Sequence, residues 1–166
     1  MPRSILAAID LAVSSDQVLA AAKEYSEAFS AKVYLVHVAE PGPISEAALM
    51  ILSSEEEVDL EPEVKFALDR KAEADRLRAE RHAFQGLRRK LSEAGVDATA
   101  IYIEGPTVDK LLLEIDRLDI DLVIIGSHAP SFLRDLFLGS TTKEVVRDAL
   151  CPVLVLPPAG DEHGPI

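Results

Sequence analysis

Five short apolar runs, separated by longer segments with helical periodicity, constrain the fold more than any other feature of the sequence. The runs cover residues 5–9, 33–38, 98–103, 122–125 and 153–156. They are rich in β-branched residues and lack polar alternation, which indicates strands that are covered on both faces. The alternation of strand and helix predicts an α/β fold, an open parallel five-stranded sheet with helices on both faces in a Rossmann-like three-layer sandwich.

Four helices are predicted between the strands, at residues 14–29, 62–94, 107–118 and 140–149. Ser14 or Ser15, Thr107 and Ser140 are the expected N-caps, and Gly95 is expected to end the long charged helix. Helical spacing gives two inward-facing stripes, which are Val18, Ala21, Ala22, Tyr25 and Phe29 in the first helix and Leu77, Phe84, Leu87 and Leu91 in the long one.

One domain is expected over residues 1–157, because 166 residues suit a single core. Residues 40–65 form a variable insertion with a short apolar helical portion at 44–52. Residues 158–166 contain proline and glycine without periodicity and are predicted to be a disordered tail.

The net charge of −12 argues against nucleic acids and membrane surfaces as partners, because both are polyanionic. The single cysteine, Cys151, cannot form an intrachain disulfide and is read as a buried thiol. No run approaches the roughly 20 apolar residues of a transmembrane helix, and the apolar stretch near the N-terminus is too short for a secretory segment. A cytoplasmic protein is predicted.

Ligands of an open parallel sheet bind beyond the carboxyl ends of the strands, which directs attention to the residues that follow each run. Asp10 follows the first strand and Val38 ends the second. The segment 126–129 (Gly-Ser-His-Ala) follows the fourth, and 139–142 (Gly-Ser-Thr-Thr) begins the last helix. Small residues and a helix N-terminus can cradle a phosphate with few cations. Equally, Gly126 can simply turn the chain while Ser140 caps a helix.

The same segment resembles the nucleotide-binding branch of the universal stress protein family, which is marked by G-x-x-G, nine residues, then G-(S/T). Here Gly126-Ser127-His128-Ala129 is followed by nine residues and then Gly139-Ser140, so that Ala129 replaces one motif glycine. Four further stretches are similar to that family: Ala-Ile-Asp at 8–10, Leu-Val-His-Val at 35–38, Glu-Gly-Pro at 104–106 and Cys-Pro-Val-Leu-Val-Leu at 151–156. The likeness extends over nearly the whole chain except residues 40–65 and the tail.

The resemblance implies an adenine nucleotide alpha hydrolase-like fold and a bound adenine nucleotide. ATP, with or without Mg²⁺, is the first candidate, and the sequence does not distinguish it from ADP, AMP or a cyclic nucleotide. It assigns Asp10 to the ribose and the backbone of Val38 to the adenine edge. Phosphate-facing positions are Gly126, Gly139, Ser140 and Thr141, and Ser127, His128 and Ala129 complete the cradle. An alanine at position 129 costs about 1 kcal/mol if the backbone there requires a positive φ, which predicts weakened binding.

Three functions remain open from the sequence: an ATP-binding stress-response or regulatory module, a nucleotide-free dimeric interaction protein, and a slow ATPase. No metal site is predicted, since no pair of histidines has ligand spacing. No catalytic residue is assigned either, since the Walker and nucleophile-elbow motifs are absent.

The last strand, residues 153–156, is expected at an edge of the sheet, where an apolar strand invites pairing with its symmetry mate. A homodimer through this C-terminal strand is therefore predicted, and the resemblance implies the same arrangement.

Overall fold

A computed structural model describes residues 1–11, 14–40, 62–127 and 139–157. Its strands are β1 (Ser4–Ala8), β2 (Lys32–Ala39), β3 (Ala98–Glu104), β4 (Leu122–Gly126) and β5 (Val153–Leu156). Its helices are α1 (Ser14–Phe29), α2 (Pro62–Glu93), α3 (Thr107–Arg117) and α4 (Ser140–Asp148). The five predicted strands and the four helices predicted between them are present, each with its ends within one residue of the expected ones. The helical portion predicted at 44–52 lies outside the described residues. Most of the predicted insertion and the predicted tail lie outside the described residues.

The strands form one parallel sheet in the order β3-β2-β1-β4-β5. β1 lies in the centre, which is why its residues Ile5, Leu6 and Ala7 are completely buried. The chain leaves β1 in one direction for β2 and β3 and returns to its other side for β4 and β5. This reversal creates a crevice beyond the carboxyl end of β1, where open α/β sheets bind their ligands. The predicted fold class and the edge position of β5 are confirmed.

Two apolar clusters cover the two faces of the sheet. One joins α1 and α2 to the sheet through Val18, Phe84 and Leu91, and the other joins α3 and α4 through Leu111 and Val145. The predicted inner side of α1 is confirmed, since all five of its residues belong to the first cluster. In α2, Phe84 and Leu91 are buried, whereas Leu87 and Leu77 are half-buried. The sheet is thus covered on both faces, as its unbroken apolar strands require.

The predicted N-caps are wrong. Ser14 and Ser15 are the first two residues inside α1. Thr107 and Ser140 are the first residues inside their helices, and the cap positions are held by Pro106 and Gly139. Neither helix has a side-chain cap hydrogen bond. The backbone decides this, because Pro106 and Gly139 already have the extended conformation of a cap, with ψ of 121° and 159°. The hydroxyl of Thr107 donates to Glu40 instead. Gly95 ends α2 as predicted, with φ of +82°.

The N-terminus of β1 is held by one carboxylate. Asp121 Oδ2 accepts hydrogen bonds from the N–H of Arg3 at 2.7 Å and from the N–H and hydroxyl of Ser4, both at 3.0 Å. These bonds lower the pKa of Asp121, and the bond from the N–H of Arg3 makes the largest contribution. The carboxylate therefore connects the chain before β1 to the start of β4, next to it in the sheet.

We expect Asp121→Asn to lower the free energy of unfolding at pH 6 and to have less effect at low pH. A folded-state pKa below the unfolded value of about 3.9 contributes stability above that value, and the contribution is lost as the pH falls through the folded pKa. Urea titrations at pH 6 and pH 3 measure the difference between variant and wild type. The exposed Asp116→Asn serves as the control. A deficit of equal size at both pH values would contradict this role.

No helix in the described part of the chain is long and apolar enough to cross a membrane.

Candidate functional site

A cavity of about 660 Å³ lies beyond the carboxyl end of β1, in the crevice that the sheet topology creates. Its floor comes from the ends of β1, β2 and β4, and its sides come from α2, α3 and the first turn of α4. The lining residues are Ala8, Ile9, Asp10, Val36, His37, Val38, Ala39, Glu40, Arg76, Glu80, Thr107, Leu111, Ile125, Gly126, Gly139, Ser140, Thr141 and Thr142.

Six of the nine residues that the sequence singled out line this cavity, and they are Asp10, Val38, Gly126, Gly139, Ser140 and Thr141. Ser127 is buried outside the lining, and its N–H donates to the carbonyl of Leu156 at 2.8 Å, which extends the sheet by one bond. His128 and Ala129 lie outside the described residues. Residues that are up to 131 positions apart in the sequence, Asp10 and Thr141, therefore meet at one place.

The backbone of Val38 points toward the end of β1. Alternate residues of β2 bond to opposite neighbours: Val36 accepts from the N–H of Ile9, while Ala39 accepts from the N–H of Gly105. Val38 shares the parity of Val36 and so turns its peptide groups to the β1 side, where β1 has already ended at Ala8. An edge of this kind can pair with a planar group that carries both a donor and an acceptor.

The first turn of α4 forms the other end of the cavity. Its first N–H groups have no partner one turn earlier in the helix, and the N–H of Lys143 is the first to bond back, to Gly139 at 3.0 Å. The buried hydroxyl of Thr142 donates to the carbonyl of Gly126 at 3.2 Å, which fixes this helix end against the end of β4. Within the described residues the N–H groups of 140–142 have no backbone acceptor, and together with the positive end of the helix dipole they make this end suited to an anion.

Asp10 lies between these two ends, directly beyond β1. Its Oδ1 accepts a hydrogen bond from the hydroxyl of Ser15 at 2.9 Å, in the first turn of α1. The bond orients the carboxylate at the mouth of the cavity, where it can accept hydrogen bonds from hydroxyl groups of a ligand.

The sequence reasoning missed the wall that α2 contributes. Arg76 and Glu80 line the cavity, one turn apart on the long charged helix, beside Glu40 and Thr107. The pattern of α2 predicted a long charged helix with an apolar inward stripe, and it assigned no charged residue of that helix to the site. The sequence does not tell which turn of a 32-residue helix reaches the edge of the sheet, so no spacing within α2 pointed to Arg76 or Glu80.

Behind this wall lies a packed group of rings. His37 is buried, with ring centroids 5.3 Å from Tyr102 and 5.8 Å from Phe84. Its Nδ1 donates to the carbonyl of Ile9 at 2.7 Å, since a carbonyl can only accept. The hydroxyl of Tyr102 donates a hydrogen bond to Glu80 at 3.1 Å. Burial makes the largest contribution to raising the pKa of Tyr102, and this hydrogen bond makes the second largest. The hydroxyl therefore remains a donor that fixes Glu80.

A family model decides the classification. The model of the universal stress protein family matches residues 1–157. The chain belongs to the universal stress protein family. Among curated universal stress proteins, one of Thermus aquaticus is 29% identical over 157 residues, which is 94% of this chain and 99% of the relative. The protein MJ0577 of Methanocaldococcus jannaschii is 22% identical over 162 residues, covering 94% and 95% of the two chains.

Solved universal stress protein structures share this fold at low sequence identity. The structure of MJ0577 superposes with a TM-score of 0.67 at 20% identity, over 96% of this chain and 98% of that one. A universal stress protein in complex with cAMP gives 0.62 at 18% identity, over 94% and 97%. The Archaeoglobus fulgidus protein in complex with dAMP gives 0.57 at 17%, over 93% and 97%.

Proposed function

We propose that this universal stress protein binds an adenine nucleotide, ATP with Mg²⁺, in the cavity and acts as a nucleotide-responsive module in stress response or regulation. One observation supports the proposal: the backbone edge of Val38, beside which β1 has already ended, and the N-terminus of α4 line the same cavity. β2 and β4 flank β1, so Val38 and the end of β4, to which Thr142 of α4 is bonded, are separated by about two strand spacings, or about 10 Å. That span suits a base at one end and phosphates at the other.

In this proposal the ligand is held mostly by backbone. The peptide groups of Val38 pair with the base edge, and Asp10 accepts from the ribose hydroxyls. Phosphates lie against Gly126 and the first turn of α4, at Gly139, Ser140 and Thr141. Related proteins solved with cAMP and dAMP support an adenine nucleotide as the ligand class. Binding through N–H groups also suits a chain of net charge −12, which has few cations to spare.

Calorimetric titration of ATP with Mg²⁺ into nucleotide-stripped protein tests the proposal, and we expect micromolar affinity. The variant Ala129→Gly restores the glycine of the family pattern and is expected to bind on the order of tenfold more tightly. GTP is the matched control ligand, because its base presents a different donor and acceptor pattern to Val38. Absence of binding by both wild type and variant would reject the nucleotide proposal in favour of a nucleotide-free interaction protein.

We further propose a homodimer through β5, which lies at the edge of the sheet. Two large apolar side chains are exposed close to β5 in sequence: Leu150 is 93% exposed, and Val146, on the helix α4 that contacts β5, is 43% exposed. Pro152 and Leu156 accept hydrogen bonds from β4, so the alternate residues Val153 and Val155 turn their peptide groups to the open edge. An apolar strand edge of this kind favours pairing with a second copy.

Light scattering is expected to give twice the 18.0 kDa chain mass at micromolar concentration. Val155→Pro removes an N–H on the open edge and should give a folded monomer, because proline is tolerated on edge strands. Leu154→Pro removes a bond to β4 and should instead reduce stability. A wild-type monomer, or a dimer that is unaffected by Val155→Pro, would contradict pairing through β5.

A further inference from the structure

Arg76 is fixed in the cavity wall by four hydrogen bonds to three residues. Its Nε donates to Glu73 at 2.9 Å, and Nη2 donates both to Glu73 at 2.6 Å and to the carbonyl of Glu40 at 2.9 Å. Its Nη1 donates to Glu80. The hydrogen bond to Glu73, the strongest of several contributions, raises the pKa of Arg76 and keeps it charged. The side chain thereby connects α2 to the end of β2, across the segment 41–61.

These bonds determine which part of Arg76 a ligand can contact. A guanidinium has five N–H donors in one plane, and four of them are committed to the protein. The edge of the group is therefore almost entirely occupied. What remains for a molecule in the cavity is the planar face, together with one N–H on Nη1.

The charges around Arg76 argue against a phosphate partner. Two carboxylates, Glu73 and Glu80, bond directly to its single positive charge, and the carboxylate of Glu40 also lines this end of the cavity. The local field is negative, so an anion placed here would be repelled. The anion-binding end, at the first turn of α4, lies on the far side of β1.

The position of Arg76 also points to the base. Its Nη2 bonds to the carbonyl of Glu40, which lies just past the end of β2 and two residues beyond Val38 in the chain. A planar guanidinium face packs favourably on an aromatic base. On the same helix, Arg81 already covers the ring of Tyr102, with 4.7 Å between its Cζ and the ring centroid.

We propose that Arg76 is a base-contacting residue: its guanidinium face packs on the nucleobase, while Glu73 and Glu80 position it. This inference rests on the proposed adenine nucleotide function. It assigns Arg76 to the base and not to the phosphates, although it is a cationic side chain in the wall of the cavity.

The test is calorimetric titration of adenosine, AMP and ATP into wild type and Arg76→Lys. Lysine keeps the charge and loses the planar face, so we expect all three ligands to lose affinity by a similar factor, on the order of tenfold. Arg81→Lys is the matched control, since Arg81 is also paired with a carboxylate, Glu104 at 3.2 Å, and lies outside the cavity lining. It should leave all three affinities unchanged.

Other outcomes would overturn the inference in distinguishable ways. A loss that grows from adenosine to AMP to ATP would make Arg76 a phosphate ligand. If wild type binds all three ligands and Arg76→Lys binds them with the same affinities, the contact between Arg76 and the base is rejected, while the proposed function remains intact. A wild type that binds none of the three would reject the proposed function itself, and this inference with it. Circular dichroism and thermal unfolding confirm that each variant is folded.

Discussion

Phe84→Ala is expected to lower the free energy of unfolding by about 3–5 kcal/mol, the range for a buried phenylalanine that leaves a cavity. Phe84 is completely buried and is the largest such side chain in the described part of the chain. Its ring lies against both His37 and Tyr102, with centroids 5.8 and 6.3 Å away. These two rings in turn adjoin Glu80, so the loss should also loosen the cavity wall. Urea denaturation gives the stability, and ATP titration gives the effect on the site.

The half-buried Phe29, at the end of α1, provides the matched control for this substitution. It packs at the margin of the same apolar cluster, so Phe29→Ala exposes less new surface and leaves a smaller cavity. We expect a loss of about 1–2 kcal/mol and no change in nucleotide affinity. Equal destabilisation by the two substitutions would show that α2 does not anchor the core through Phe84.

Gly139→Val is expected to reduce ATP affinity on the order of a hundredfold or more while the fold remains intact. The φ and ψ of Gly139, −56° and 159°, are open to residues with side chains, so glycine is not needed there for the backbone. The residue lines the cavity beside the first free N–H groups of α4. Three added carbon atoms at this position should hold the phosphates away from those donors. We expect unfolding to change by only about 1 kcal/mol.

Gly86→Val is the control for a valine at a glycine position. An added Cβ at Gly86, on α2, meets nothing within 4 Å, and the residue lies outside the cavity lining. This variant should be as stable as wild type or slightly more stable, because glycine disfavours the helix interior, and it should bind ATP normally. Normal ATP affinity in Gly139→Val would place the phosphates away from α4.

Several features could be predicted because they depend on local pattern. Continuous apolar runs such as residues 122–125 can be stable only as strands covered on both faces, and the helical spacing of Val18 and Ala22 selects the buried side of α1. Gly95 was recognisable as a helix end, since glycine readily adopts the positive φ found there. The prediction of N-caps at Thr107 and Ser140 was wrong because residues 106 and 139, which have an extended backbone, hold the cap positions. The hydroxyl-bearing residues that follow them are therefore already inside the helices.

The ends of strands were also accessible to sequence reasoning, because parallel strands bring their carboxyl ends to one edge. Asp10, Val38, Gly126 and Gly139 were expected together, and all four line the cavity. The sequence could not show that Ser127, unlike these four residues, lies outside the cavity lining. Its N–H donates to the carbonyl of Leu156 and so belongs to the sheet. Adjacent residues at a strand end alternate in direction, and the register that decides the direction is a tertiary property.

By itself, the sequence determined the α/β class, the family and the edge of the sheet at which a ligand would bind, since these follow from periodicity and from motifs within short segments. The tertiary structure alone decided that Val38 presents its backbone to an open crevice, because that depends on where β1 ends beside it. It also decided that Arg76 joins the cavity, held by Glu40, which follows β2 and lies 36 residues away in the sequence. A helix pattern gives the spacing of side chains, but the turn that meets a distant strand end is set only when the two elements pack.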